Sequence, residues 1–318
     1  MQLNTFTIPK PEHGSPEWLA VRWRNEQGLA RISASEAAAV HNEHGFVSSG
    51  DLALAKMSDT PPQPVEANKA MERGQRLEPF VLSWYRDLNG GDVATPEVMY
   101  CYEEDGVRLI ATLDAVQRTD GGLVPVEIKT INRRWNGEMP RYWYWQGVHQ
   151  AICTGSDQIE WVIFDNNLEP HTHTQVVTSD ERQVHIEACR AFLKAVDSGQ
   201  MPEGATFSYE DISQRHPEGD GSSVDLGDEA AEIVSALADV AAEIKTLKAA
   251  EDSLKASICQ LLGDAEFGTI GGTLAVSWKT SQRSAFDQKR FESEHPALAQ
   301  KFKKTTTYRT FRVLSKGE

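Results

Sequence analysis

Three charged residues stand within two apolar runs. In RLIATLDAVQRTDGGLVPVEIKT, residues 108–130, Asp114 closes off the first run, and Glu127 and Lys129 interrupt the second. Charged groups are costly to bury unless they are paired or bound to a cation. Both runs predict strands, joined by a turn at TDGG. Alternate residues of a strand share a face, so Glu127 and Lys129 point to the same side. Asp114, on the adjoining strand of the hairpin, can meet them there. Two carboxylates and an ammonium at one sheet edge suit a hard divalent cation, Mg²⁺ with Mn²⁺ as a substitute. Such an ion polarises a phosphate oxygen and lowers the pKa of a bound water, and a lysine beside it stabilises the charge that develops. The chemistry such a cluster would support is phosphodiester hydrolysis. The competing reading is an ordinary surface ion pair in a hairpin.

Two further segments add candidates. RGQRLEPF (73–80) places Glu78 on a predicted helix, as a third carboxylate or else as a solvated helix residue. YWYWQGVHQAICTG (142–155) places Gln146 and Gln150 one helical turn apart, hence on one face. An amide pair among Tyr142, Trp143, Tyr144 and Trp145 suits a substrate groove, although core packing accounts for some of these rings.

The elements that must position these residues follow from local signals. Helices are expected over 16–60, with Ser33 or Ser35 as a cap in ISASE, and over 66–91, ended by Asn89-Gly90-Gly91. Strands are expected at EVMYCYE, GVRLIATLDAVQ, LVPVEIKTI, IEWVIFDN and THTQVV, with a helix over 141–154 and another over 179–199 capped by Ser179. This is an α/β domain spanning 1–203. A linker is expected over 204–223 from its composition. Beyond it, Ile233, Leu237, Val240, Ile244, Leu247, Leu254, Ile258 and Leu261 alternate by four and three, interrupted at Glu251. That heptad stripe predicts a long helix that packs along another. The extension 224–318 continues with a hairpin around Gly271-Gly272, a helix near 287–304 and a strand TTYRTFRVL.

The totals constrain the class. The chain has 318 residues, 40% hydrophobic and 25% charged, as in an ordinary soluble protein. No apolar run approaches the roughly 20 residues of a membrane span, and the N-terminus shows no secretory leader pattern. Four separated cysteines suggest neither a disulfide scaffold nor an iron–sulfur cluster, and a cytoplasmic setting is expected. His171 and His173 lack a third ligand for a zinc site. The net charge of −15 argues against a generic nucleic-acid coat but not against a nuclease, whose ligands are acidic. Residues 281–318 hold nine Lys/Arg against four Asp/Glu.

Taken in order, five motifs resemble one family. WLAVR (18–22) with ISASE (32–36), RGQRLEP, TLDA, VEIKT and QGVHQAICTG are similar to the opening, the acidic helix, the two strand motifs and the glutamine helix of the lambda exonuclease-like, YqaJ-type viral recombinase nucleases of the PD-(D/E)XK superfamily. TLDA departs from the family's S-P-D-G but keeps the Asp, and Val148 replaces the middle Gln of the last motif. The resemblance implies a restriction-endonuclease-like core, a mixed central sheet flanked by helices, followed by the long heptad helix and a small α+β extension. It implies a Mg²⁺-dependent exonuclease that degrades linear double-stranded DNA from the 5′ end, leaving 3′ overhangs for a single-strand annealing protein. By position, Asp114, Glu127 and Glu78 hold metal, Lys129 is the catalytic lysine and Gln146 orients substrate or water. Arg22, Ser33, Ser35 and Thr112 receive the 5′-phosphate, and Arg133, Arg134 and Gln150 face DNA. The family's ring trimers and phage origin imply a homo-oligomer acting in the bacterial cytoplasm. An endonuclease or repair nuclease of the same superfamily, and a non-catalytic DNA-binding scaffold, remain alternatives.

Overall fold

The computed structural model describes residues 4–64, 66–89, 92–282, 284, 286–304 and 307–314. The chain forms two compact units, Met1–Ile212 and Ser213–Glu318. The first begins with β1 (Thr5–Pro9) and α1 (Pro16–Trp23). Ser15 starts α1 by accepting the Trp18 N–H, and Pro16 fills a first-turn position that needs no donor. β2 (Ile32–Ser33), a 3-10 turn (Ala34–Glu36), α2 (Ala37–Val40), α3 (Ser49–Met57) and the long α4 (Lys69–Asn89) follow. Then come β3 (Asp92–Ala94), β4 (Val98–Glu104), β5 (Val107–Ala111), β6 (Ala115–Thr119) and β7 (Gly122–Thr130). Helix α5 (Arg141–Thr154), β8 (Gln158–Phe164), β9 (Pro170–Val176) and α6 (Ser179–Asp197) complete the series, and the short α7 (Tyr209–Arg215) runs across the boundary at Ile212.

The strands form two sheets, ordered β1-β4-β5-β2 and β3-β6-β7-β8-β9. The stretch expected to be one strand across 107–117 is therefore two strands in different sheets. Every residue of β5 is buried between β4 and β2, whereas β6 pairs with β7 and β3. Thr112-Leu113-Asp114 makes the crossing, with a bend at Asp114, and local propensity does not distinguish it from a continued strand. In the second sheet β7 runs antiparallel to β6 and parallel to β8, with α5 in the crossover. The unit is thus an α/β fold built on a mixed sheet flanked by helices.

Helix α5 is buried on both sides. Trp145, Val148, Ala151, Ile152 and Cys153 join the larger core with β5 and α6, while Trp143 packs with Ile159, Trp161 and Ile163 of β8. Gly147 permits the close approach, since a Cβ there would collide with Gln175 and meet Trp161 at 3.0 Å.

Three histidines cross this core in a chain. His149 Nε2 meets the Ile110 carbonyl at 3.2 Å, its Nδ1 meets His185 Nε2 at 3.0 Å, and His185 Nδ1 meets His41 Nε2 at 2.8 Å. A carbonyl only accepts, so His149 carries its proton on Nε2, and the same tautomer follows for His185 and His41. Burial lowers all three: His41 to about 4, His149 to about 3 and His185 well below its ordinary value. Folded histidines that resist protonation make the unfolded state the better proton binder between about pH 6.5 and 4. Stability is thus full above about pH 6.5 and falls as the medium is acidified through that window. Urea midpoints at pH 7.5 and 4.5 check this; equal midpoints would contradict it.

Several boundaries differ from expectation. Thr178, not Ser179, caps α6 through a capping box with Glu181, because the helix needs its oxygen one residue earlier. Gly90 and Gly91, the expected stop of α4, lie outside the described residues. The first residues of the expected linker pack onto α3: the Gly50 N–H donates to the Thr206 carbonyl, and Thr206 N–H to Ser49 Oγ.

The second unit holds α8 (Gly227–Leu262), the hairpin β10 (Phe267–Ile270) and β11 (Thr273–Ser277), α9 (Gln288–Glu294) and α10 (Pro296–Phe302). Gly271 and Gly272 both have positive φ, as a two-residue hairpin turn requires. The helix expected over 287–304 is broken before Pro296, whose ring cannot continue the preceding ladder. TTYRTFRVL forms no strand over its described residues 307–314, which are exposed and pair with no sheet edge; Thr306 lies outside the described residues. The heptad stripe of α8 is exposed. Among the described residues, no helix is long and apolar enough to cross a membrane.

Candidate active site

Glu127 is the hub of the site. Only 5% exposed, its carboxylate accepts three side-chain donors: Lys129 Nζ at 2.7 Å and Gln146 Nε2 at 2.6 Å on Oε1, and Gln150 Nε2 at 2.7 Å on Oε2. Strand alternation along β7 brings Glu127 and Lys129 together, and the i, i+4 spacing of α5 aims both glutamines at the strand. Lys129 Nζ also donates to Gln146 Oε1 at 3.1 Å, which fixes that amide's orientation. Burial pushes the Lys129 pKa down, but the charge and hydrogen bond of Glu127 outweigh it and hold the ammonium charged.

Asp114 stands at the sheet crossing. The β6–β7 register, continued one step from Ala115 opposite Val126, sets Asp114 opposite Glu127. Its Oδ2 accepts the Ile128 N–H at 2.8 Å. Burial, then the charges of Glu127 and Glu78, raise its pKa well above the usual carboxylate range. Glu78, on α4, is raised as well, first by burial and then by Glu127. Glu78, Asp114, Glu127 and Gln146 line one cavity of about 380 Å³.

The donor chemistry of this end fits Mg²⁺ or Mn²⁺. All the available ligands are hard oxygens, and the carboxylates repel one another in a way that a cation relieves. Among the described residues no three His, Cys, Asp or Glu side chains are grouped so as to hold a metal by themselves. Mg²⁺ is commonly held by one or two carboxylates plus waters and substrate phosphate. Asp114 and Glu127 match that need, with Glu78 lining the same cavity.

The other end of the cavity carries positive charge. Arg22 Nη2 donates to Ser33 Oγ at 2.7 Å and Ser35 Oγ at 2.6 Å, and the guanidinium lies 3.9 Å from the centre of the Trp18 ring. Glu36 holds this corner: it accepts the Ser33 N–H at 2.8 Å and pairs with the buried Lys56 at 2.8 Å. Lys56 in turn donates to the Arg22 carbonyl at 3.3 Å. Thr112 lines the same cavity, its Oγ1 buried without a partner among the described residues.

The structure thus gathers Asp114, Glu127, Lys129, Glu78, Gln146, Arg22, Ser33, Ser35 and Thr112 around one cavity and its wall. Arg133 and Arg134 lie on the exposed loop after β7, which Trp135 anchors by stacking 5.9 Å from Trp143. Gln150 is a correction. Expected to face DNA, it is fully buried and holds Glu127, because α5 is covered on both sides. Lys10 and His13 also line the cavity and carry no sequence signal that sets them apart as site residues, and Trp18, the first residue of the WLAVR motif, lines it too.

Residues 17–157 match the model of the YqaJ-like viral recombinase domain. That segment is similar to this family. Among solved structures, an alkaline exonuclease from Laribacter hongkongensis is similar, with 22% identity, coverage of 58% of this chain and 94% of that chain, and a TM-score of 0.48. A phage-related exonuclease from Haemophilus somnus 129PT shows 13% identity over 54% of this chain and 96% of its own, with a TM-score of 0.39. No curated protein sequence matches the chain. The YqaJ-like segment contains all the cavity residues named above except Lys10 and His13.

Proposed function

We propose that the YqaJ-like unit is a Mg²⁺-dependent deoxyribonuclease that degrades linear duplex DNA exonucleolytically, 5′ to 3′, from phosphorylated ends. The observation that carries this reading is one cavity with two unlike ends. Paired acids line one, with a charged lysine bound to Glu127 behind them, and an arginine held by two hydroxyls lines the other. A divalent cation, held by Asp114 and Glu127, would polarise the scissile phosphate and lower the pKa of an attacking water. The remaining work belongs to the chain. Lys129 presents a fixed positive charge where negative charge builds up on the phosphate. Gln146 and Gln150 hold the Glu127 carboxylate in a single orientation.

Arg22 with Ser33, Ser35 and Thr112 receives the terminal phosphate, a match of planar donors to oxyanion. Attack by water on the phosphorus, with loss of the O3′ bond, releases a 5′-mononucleotide and leaves a new 5′-phosphate on the shortened strand. The product of each cycle therefore regenerates the group the pocket binds. Arg133 and Arg134 contact the backbone. The 3′ overhangs produced would serve a single-strand annealing protein in phage-type recombination in a bacterial cytoplasm. A ring-shaped homo-oligomer suits repeated cycles. Residues 224–318 supply no catalytic group and assist by holding DNA or a partner.

The test is digestion of linear duplex labelled at the 5′ or 3′ end, beside closed circular DNA, in Mg²⁺. Early release of 5′ label with the 3′-labelled strand shortening from its far end is expected, with the circle intact. Internal cuts in the circle would replace the reading with an endonuclease.

Gln150 gives a separate expectation. Gln150→Leu keeps the volume but frees Glu127 Oε2, and loss of such supporting groups typically costs about 10- to 100-fold in activity. The single-turnover rate of the folded variant measures it. A rate equal to wild type would show that Glu127 needs no such support.

A further inference from the structure

The second unit carries a pattern that the active-site cavity does not use. From Lys279 to Leu314 the sequence holds nine Lys/Arg against three Asp/Glu, in a chain whose net charge is −15. Such a local surplus is the footprint of a polyanion. Four times in this region an aromatic residue stands directly before a cation: Trp278-Lys279, Phe302-Lys303, Tyr308-Arg309 and Phe311-Arg312. All four rings are exposed, Phe302 by 76% and Tyr308 by 77%. Large rings gathered in water, outside any core, mark a place for a ligand. Two of the three acids are already engaged. Arg290 pairs with Glu294 at 2.8 Å along α9, and Lys303 reaches Glu292 at 3.9 Å, which ties the end of α10 to α9. Among the described residues Lys289, Lys304 and Arg312 form no ion pair. Lys301 Nζ lies 5.9 Å from the centre of the Phe302 ring. Arg309 Nη1 donates to the His216 carbonyl at 3.5 Å, which holds the tail to an earlier segment of the same unit.

We propose that the aromatic–cation doublets of α10 and the tail, centred on Phe302-Lys303 and Tyr308-Arg309, bind single-stranded DNA. In this arrangement a ring stacks on an unpaired base and the cation beside it meets the neighbouring phosphate. Duplex DNA hides its base faces in the stack, so it would engage the cations and leave the rings in water. A protein partner fits less well, because the cores of protein interfaces are depleted in lysine. Here Lys301, Lys303 and Lys304 surround Phe302. Stacking and phosphate contacts are available to every base, so binding should be largely independent of sequence. The strand left by an exonuclease working on duplex DNA is a ligand of this kind, and that identification alone rests on the nuclease reading above. The surface itself needs neither metal nor cleavage.

The experiment uses the full chain in EDTA and a fluorescent single-stranded thymidylate circle, which offers the cavity no DNA end. Anisotropy reads binding over a range of salt, with a closed duplex circle as competitor. The wild type is expected to bind the single strand and to be displaced poorly by the duplex. Phe302→Ala and Tyr308→Ala should each weaken binding by about five- to a hundredfold, the scale of one stacked base. Tyr308→Phe should keep the affinity. Lys303→Gln with Lys304→Gln should lower the slope of log affinity against log salt by about 0.7 for each cation removed. The substituted side chains are exposed, so folding should survive, which circular dichroism checks. Wild-type affinity in the Phe302→Ala, Tyr308→Ala double variant overturns the surface. So does a duplex circle that competes as well as the single strand, the mark of charge without stacking. A wild type that binds the circle through these rings yet leaves linear duplex uncut in Mg²⁺ would remove the nuclease reading and keep the single-strand surface.

Discussion

Lys129→Ala should leave a folded protein that binds duplex DNA and cleaves it at least about a hundredfold more slowly, since a preorganised charge at developing negative charge is worth several kcal/mol. The expectation rests on where Lys129 sits. Its ammonium touches Glu127 Oε1 and Gln146 Oε1 at the cavity wall and is held charged by Glu127. Two tryptophan rings, of Trp143 and Trp161, lie 6.0 and 5.8 Å from it. In the variant Glu127 keeps its two glutamine donors, so the strand and the carboxylate geometry should persist. Single-turnover cleavage at saturating Mg²⁺, with anisotropy for binding, separates chemistry from affinity. A variant that cleaves at the wild-type rate would remove Lys129 from the site. A variant that loses binding and cleavage in equal measure would make its role adhesion.

Arg22→Ala should reduce cleavage of 5′-phosphorylated ends by roughly ten- to a hundredfold, the scale of hydrogen bonds to a charged group. Cleavage of 5′-hydroxyl ends should change little. The guanidinium is fixed by Ser33, Ser35 and the face of Trp18, so its loss removes both charge and shape. Arg22→Lys should not restore the preference, because an ammonium lacks the planar fork. Initial rates on the two kinds of end provide the ratio. An equal drop on both would mean that Arg22 supports the fold of the corner and does not read the phosphate.

The Glu127–Lys129 cluster was legible because its physics is local. Charges within apolar runs, and the period of two along β7, are enough to bring Glu127 and Lys129 together. The change of sheet between Ala111 and Ala115 was not legible, since Thr112-Leu113-Asp114 carries no turn residue such as Gly or Pro to mark the break. Spacing placed Gln146 and Gln150 on one face, but depth depends on what covers α5, and periodicity says nothing of that. The hydroxyl-rich start of ISASE and the resemblance pointed to the Arg22 corner, whereas Lys56, Lys10 and His13 reach it from other elements without a repeating signal. In the second unit the heptad of α8 was plain in the sequence, and its stripe is exposed along the helix.

The most direct test of the central claim measures acid-soluble nucleotide released from linear duplex DNA by wild type and Asp114→Asn, in Mg²⁺ and in EDTA. Asp114→Asn keeps the shape and removes one of the two carboxylates that would hold the cation. Release by the wild type in Mg²⁺ alone, and none by the folded variant in either condition, is the predicted outcome. Full release in EDTA, or an Asp114→Asn protein as active as wild type, would contradict the assignment of this cavity as a metal-dependent nuclease site.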